Sequence, residues 1–415
     1  IMDPVLLKDG SHFLQQTFTE RLDGLASGEI ITGEEKQQYI DKNNLLLTTV
    51  MAPAYERVGD AFLVLKGTGT NPYGLCYYPE GKEYYPYLLA QTTGSSRSIP
   101  EIRRLLEKDY QKNFHALRDL VKNHPGLLKL SPEDFSLSLN MQSSYSDHPE
   151  EPGDTDLPTK PAATSDILCR LSEAILDDLQ KQMKPDFPKL TCIPEAKAGQ
   201  EHDGENNSVS CQIKKVSSSM EAYSSPAYYL TPPIDDLWHN TIYLNEPNIT
   251  DDLTLYTTLA HEGYPGHLYQ TVYSQSFLNQ QNASCIRSML HYGGFVEGWA
   301  VYVENLSYGL HLCLYSYMDI AIHYDGATPE QIGRFLENLG LGQHTNVETI
   351  YEYLVEEPCN YLKYYLGYLE FLSLKQQAEE LWGTDYSDYR FHKFVLETGP
   401  SDFRSLGELV TAHPY

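Results

Sequence analysis

TTLAHEGYPGHLYQ, residues 257–270, is the stretch on which the reading of this chain turns. Upstream of its His-Glu pair, Leu253, Tyr256, Leu259 and Ala260 supply an apolar face. Thr250 offers a cap, and Asp251 and Asp252 place acid at the positive end of a helix dipole. The pattern predicts a helix that carries His261 and Glu262 about three turns from its start. In zinc peptidase helices of the H-E-x-x-H kind, two histidines one turn apart face one metal and the glutamate acts as base. Here the second histidine, His267, lies six positions after His261. In an unbroken helix that offset is about 240° around the axis and about 9 Å along it, so the two rings would diverge. Pro265 lacks an N–H, and its ring clashes with the carbonyl of His261, four residues back. Gly263 and Gly266 admit dihedrals closed to other residues. A bulge or wide turn over residues 263–266 is therefore expected, one that swings His267 back towards His261.

A catalytic zinc has three protein ligands and an open position for water. The best third candidate is Glu297, in HYGGFVEGWAVYVENL, where Gly293 and Gly294 precede an apparent helix carrying Glu297, Tyr302 and Glu304. Glu304 lies two turns from Glu297 on the same face and is placed to accept a hydrogen bond from a ligating histidine.

Further out, apolar residues recur at helical spacing over 34–60 and 99–123, the second run opened by Pro100-Glu101. Asn71-Pro72-Tyr73-Gly74 signals a turn, and short extended pieces are expected around Pro79-Glu80-Gly81. Residues 142–166 are polar and Pro-rich, as a linker would be, and a helix bearing Ile167, Leu168, Leu171, Ile175 and Leu179 follows. Residues 195–209 read as a second polar loop. CQIKKV, PAYYLT and NTIYLN read as strands near residues 211, 226 and 240, and from about residue 250 the chain returns to helix. One of these strands, around Pro226–Leu230 or Thr241–Leu244, has the character to pair with an extended substrate backbone.

The 415 residues carry 30 basic and 57 acidic side chains, a formal net charge of −27, which disfavours nucleic acid as a partner. No run is long and apolar enough for a membrane span, and no basic-then-apolar leader is visible. The chain starts at Ile1 rather than Met, which leaves room for an upstream export signal. Seven cysteines without a CxxC pair exclude a thiolate zinc site, although Cys192 and Cys211 could be bridged in an oxidising compartment. The 33 tyrosines suit a polar cleft lined with rings. His291, His311, His323 and His392 are read as structural, and Arg287 and Arg404 as possible but undecided contacts for a substrate carboxylate.

HEGYPGH followed by EGWAVYVE resembles the pattern of the bacterial DUF885 family, HE-x-x-PGH and then EGWA-x-Y-x-E about thirty residues on. SPAYYLTPPIDD, NTIYLN, GLCYYPEGKEYYPYLL, YLKYYLGYLEFLSLKQQAEE and FHKFVLETG extend the resemblance over most of residues 40–415. Many members have a second histidine directly after PGH; here that position is Leu268, which favours His267 as ligand. The resemblance implies a mainly α fold with a small β-sheet next to the metal-binding helix, a zincin- or gluzincin-like helical metallopeptidase architecture with a deep cleft. It implies one catalytic unit, 1–415, with a helical lobe at about 1–210 and a metal-site lobe at about 211–415. It implies Zn2+ at His261, His267 and Glu297, with Glu262 as general base. In the Tyr-rich segment CNYLKYYLGY, Tyr365 is chosen as oxyanion donor, with Lys363 and Tyr364 as substrate-binding alternatives behind it. The expected function is a zinc metallopeptidase acting on a peptide substrate at an extracytoplasmic or cell-envelope site. The alternatives are a zinc hydrolase of an ester or non-peptide amide, and an inactive binding protein of the same fold.

Overall fold

Residues 3–123, 163–190, 209–233, 236–249, 252–304, 309–339, 341 and 346–412 are described in the computed structural model, and they form a mainly helical molecule with one three-stranded sheet. The chain opens with α1 (Pro4–Asp9), α2 (Phe13–Ser27), α3 (Gly33–Leu46) and α4 (Ala52–Leu65). A reciprocal cap starts α3: the Thr32 side chain accepts the Glu35 N–H and the Glu35 side chain accepts the Thr32 N–H. A π-turn, Leu47–Met51, carries α3 directly into α4, so the helical spacing read over 34–60 belongs to two joined helices.

The extended pieces expected around Pro79-Glu80-Gly81 are replaced by a turn and a helix, α5 (Gly81–Thr93). The turn is tight, because a Cβ at Gly81 would lie 1.8 Å from the Leu75 carbonyl oxygen. Pro86 sits inside α5, and the burial of Tyr85 and Leu89 on one face outweighs the local signals for turns. Helix α6 (Ile99–Asn123) starts where Pro100 and Glu101 predict, with Glu101 accepting the Ser98 N–H at 2.8 Å.

Helix α7 (Ala163–Gln182) takes in the last four residues of the stretch read as a linker; residues 142–162, residues 195–208 and Cys192 lie outside the described residues. The three strands fall where they were read: β1 (Ser210–Lys215), β2 (Ala227–Leu230) and β3 (His239–Leu244). Their order is β1-β3-β2, with β1 parallel and β2 antiparallel to β3, so β2 is an outer strand.

The helices that follow are α8 (Asp252–Glu262), α9 (His267–Gln280), α10 (Ile286–Met289), α11 (Gly293–Glu304), α12 (Gly309–Ile320), α13 (Pro329–Asn338), α14 (Val347–Glu356), α15 (Asn360–Trp382), α16 (Asp388–Thr398) and α17 (Phe403–Ala412). Thr250 and Asp251, the expected cap of α8, lie outside the described residues. The largest core joins Ile242 and Leu244 of β3, Leu255 and Leu259 of α8, Leu268 and Val272 of α9, Trp299 of α11 and Phe371 of α15. A second core gathers Tyr85, Leu89, Ile102, Leu106, Val301, Leu362 and Tyr365.

Helix α15 runs through both cores and is buried on most of its faces, as a helix without a single apolar stripe must be. Its closest neighbour is α11. A Cβ at Gly298 would lie 2.4 Å from the Gly367 carbonyl carbon, and one at Gly367 would lie 2.3 Å from the Gly294 oxygen. Backbone touches backbone along this seam, which sets the depth at which α11 presents Glu297.

Candidate metal centre

Helix α8 makes its last regular turn at Gly263, whose N–H reaches the Leu259 carbonyl at 2.9 Å. The chain then turns through Tyr264, Pro265 and Gly266, with a cis peptide bond between Tyr264 and Pro265. Gly266 packs directly on the end of α8: a Cβ there would lie 1.7 Å from the His261 oxygen and 2.4 Å from the Ala260 oxygen. Tyr264 is buried, and the Trp299 indole donates to the Pro265 carbonyl at 2.9 Å, which ties the turn to α11. Helix α9 restarts at His267, with the Gln270 N–H bonded to the Gly266 carbonyl at 2.9 Å. The expected break at 263–266 is present, and it brings the His261 and His267 rings to a centroid separation of 4.7 Å at 90°.

Both imidazoles meet one carboxylate. Glu297 Oε2 is 3.6 Å from His261 Nε2 and 3.3 Å from His267 Nε2. Two ligands held tetrahedrally at 2.0–2.1 Å from zinc stand about 3.3–3.4 Å apart, so each of these two separations is close to that of a pair of zinc ligands. His261 Nδ1 lies 2.9 Å from Glu304 Oε2, which fixes the ring and leaves Nε2 as the atom offered to a cation. His267 Nδ1 is buried with no hydrogen-bond partner among the described residues. The side chains of His261, His267, Glu297 and Glu304 keep 12–20% exposure, enough for water to reach a largely enclosed site.

Proximity alone groups His261, Glu262 and His267, whose ligand atoms all lie within 4.8 Å of one another. Glu297 stands differently, with one of its oxygens near both Nε2 atoms. Glu262 Oε2 is engaged elsewhere, accepting the Tyr229 backbone N–H of β2 at 2.8 Å. Burial opposes the His261 cation, yet the carboxylates of Glu297 and Glu304 raise its pKa well above the ordinary value. Burial likewise opposes charge on Glu297, and the two histidines overcome it and hold its carboxyl well below the usual range.

Of the residues named from the sequence, His261, Glu262, His267, Glu297, Glu304 and Tyr364 share one neighbourhood. The Tyr364 ring lies 6.4 Å from that of His261, inclined by 27°. Burial, then the nearby carboxylates of Glu297 and Glu262, raise its phenol well above the ordinary value, so it stays a donor. Lys363 stands at the margin, its stem close to Gly293 and its Nζ 5.2 Å from the centre of the Tyr364 ring.

The choice of Tyr365 is corrected. Its ring is fully buried in the second core and its hydroxyl donates to Asp109 on α6. Neighbouring helical residues point about 100° apart, so Tyr364 faces the histidines and Tyr365 faces away. His323 accepts the Leu75 N–H and lies 2.7 Å from the Leu354 carbonyl, while His392 bridges the Asp186 carbonyl and the Tyr302 hydroxyl. Buried His311 stacks on Tyr315, and its pKa is pushed down to about 4 by burial. Arg287 donates to the Thr398 carbonyl and Arg404 pairs with exposed Glu408. The contact that sequence reading missed is the Tyr229 N–H on Glu262, a main-chain group with no signature in residue type.

The model of the family described as "Bacterial protein of unknown function (DUF885)" matches residues 7–410. No curated protein matches the chain. Among solved structures, one from Colwellia psychrerythraea, described as a "putative lipoprotein", aligns over 99% of this chain and 68% of its own, at a TM-score of 0.73 and 21% identity. Another from Shewanella oneidensis, described as a "putative lipoprotein of unknown function", aligns over 98% of this chain and 71% of its own, at 0.54 and 17%. At these identities the likeness is one of fold. Among the described residues, no helix is long and apolar enough to cross a membrane.

Proposed function

Because the chain belongs to the DUF885 family, which is described as of unknown function, we propose a function from the site itself: a zinc-dependent hydrolase that cuts peptide bonds. The observation that carries this reading is the approach of His261 Nε2 and His267 Nε2 to one oxygen of Glu297, with Glu262 beside them. His261, His267 and Glu297 would hold the metal, a donor set of two imidazoles and one carboxylate that suits catalytic zinc. When bound, zinc polarises a carbonyl and lowers the pKa of water.

The chain's own groups do the rest. Glu262 takes a proton from the attacking water and returns it to the leaving amine. The Tyr229 N–H on Glu262 Oε2 orients that carboxylate and leaves its other oxygen for the proton. The Tyr364 hydroxyl donates to the substrate carbonyl oxygen as negative charge gathers there. Peptide is favoured over ester because the outer strand β2 runs up to the base, and the part of a strand edge that stays open can recognise main chain. The sheet edge beside the helix of His261 supports a gluzincin-like reading of the fold. An extracytoplasmic site is supported by the lipoprotein description that both structural neighbours carry.

Metal analysis of the purified protein, combined with a peptide digest, tests the reading. Stoichiometric zinc is expected, and Glu262→Gln should keep the metal while turnover falls by about 10²–10⁴-fold. Unchanged turnover would remove Glu262 as base, and failure to bind zinc would end the proposal.

A further inference from the structure

The outer edge of β2 limits what the site can hold. The Pro226 carbonyl accepts the Asn245 N–H at 2.9 Å, and the register then pairs Ala227 with Leu244, Tyr228 with Tyr243 and Tyr229 with Ile242. Antiparallel hydrogen bonding uses alternate residues, so the groups of Tyr228 and Leu230 face β3, while those of Ala227 and Tyr229 face outward. The Tyr229 N–H reaching Glu262 Oε2 agrees with this assignment.

That edge is open over a short stretch. Ala227 is 2% exposed, so its N–H and C=O are closed to a ligand. The Tyr229 N–H is taken by Glu262. Leu230 is 49% exposed and Thr231 is exposed, but β2 ends at Leu230 and the next two residues after Thr231, Pro232 and Pro233, have no N–H. Among the described residues of this edge, what remains is one acceptor, the Tyr229 carbonyl, and one donor, the Thr231 N–H. Two hydrogen bonds of this kind hold only a few residues of an extended chain. Towards Ala227 the edge is sealed two residues from Tyr229, about 7 Å along a strand.

Resting on the peptidase reading above, we propose that the site accepts short peptides or the ends of longer ones. On the Ala227 side the bound chain must terminate within about two residues of the general base. The enzyme therefore trims ends and clears oligopeptides rather than cutting inside folded or long chains. The seal at Ala227, with Tyr229 and Thr231 as the grip that the edge offers among the described residues, sets this size limit.

Calorimetric titration of zinc-loaded Glu262→Gln protein tests it, since the glutamine oxygen can still accept the Tyr229 N–H. The probes are alanine peptides of increasing length, then one long linear peptide and its head-to-tail cyclised counterpart. Affinity should rise over the first few residues and then level off, and the cyclic peptide should bind at least about tenfold more weakly than the linear one. Thr231→Pro removes the Thr231 N–H at an exposed position outside β2, and should weaken linear peptides about fivefold while zinc content stays the same. Equal binding of cyclic and linear peptides, or no binding of any linear peptide, would overturn the size limit. Zinc content and turnover of the unaltered protein test the peptidase reading separately.

Discussion

His261 is anchored from two sides, and its second anchor is the most testable single contact in the molecule. Glu304 Oε2 lies 2.9 Å from Nδ1 and so keeps Nε2 turned to Glu297. Glu304→Ala should weaken zinc about 10–100-fold in a chelator competition, because ligands deprived of such support lose orientation and basicity; an unchanged affinity would show that Glu304 supports nothing. The neighbouring tyrosines separate function from packing in the same way. Tyr364→Phe should lower kcat about 10²–10³-fold with little change in KM, whereas Tyr365→Phe should leave kcat alone and cost about 1–3 kcal/mol of stability through the bond to Asp109. Equal kinetics for the two variants would refute the assignment. The grouping of His261, Glu262, His267, Glu297 and Glu304 was legible in the sequence because Pro265 between two glycines breaks the helix that would otherwise splay the two histidines, and because the resemblance paired that segment with EGWAVYVE. Residue type could not separate Tyr364 from Tyr365, because both are tyrosines in one helix and only the helix's rotational setting decides which faces the histidines.

Helices hold these side chains at working distance through glycine contacts, and substitutions there act on whole elements. Gly298 lies next to Glu297 in the seam between α11 and α15, where a Cβ would stand 2.4 Å from the Gly367 carbonyl carbon. Gly298→Ala must push the helices apart, at a cost of about 1–3 kcal/mol in urea unfolding. Because α11 carries Glu297, the proposed carboxylate ligand, zinc affinity should fall with it; unaltered stability and affinity would mean that the seam tolerates separation. The break between α8 and α9 was readable, since Pro265 and two glycines leave no straight alternative, and so were the three strands: β2 and β3 as short runs rich in Tyr and Ile, and β1 by the alternation of Cys211 and Ile213 with polar residues. Helix α5 was not readable, because Pro79, Gly81 and Pro86 all argue against it locally and only tertiary burial of Tyr85 and Leu89 decides for it. The seam was also hidden, since Gly294, Gly298 and Gly367 acquire meaning only when distant segments meet.

At the scale of the whole molecule, Asp319 links parts of the chain that no local reading would join. Carried on α12, it accepts the Tyr85 hydroxyl of α5 at 2.5 Å and the Cys359 N–H before α15 at 2.9 Å. It is 0% exposed, and burial pushes its pKa from 3.8 up to about 7, although both hydrogen bonds act the other way. Between those two values the folded protein holds a proton that the unfolded chain has released. The stability associated with that proton is complete below about pH 4 and drains away as pH rises towards and through about 7. The full span would be worth about 4 kcal/mol, and relaxation around the charge reduces it to about 1–4 kcal/mol. Asp319→Asn keeps an acceptor and cannot ionise, so it should gain stability relative to the parent as pH rises from 5.5 to 8. All other titrating groups are common to both proteins and cancel in the comparison. Urea unfolding of the pair at several pH values decides the matter: curves that stay parallel would mean that Asp319 is already ionised throughout the range, and that the contacts to Tyr85 and Cys359 stabilise its charge better than burial opposes it.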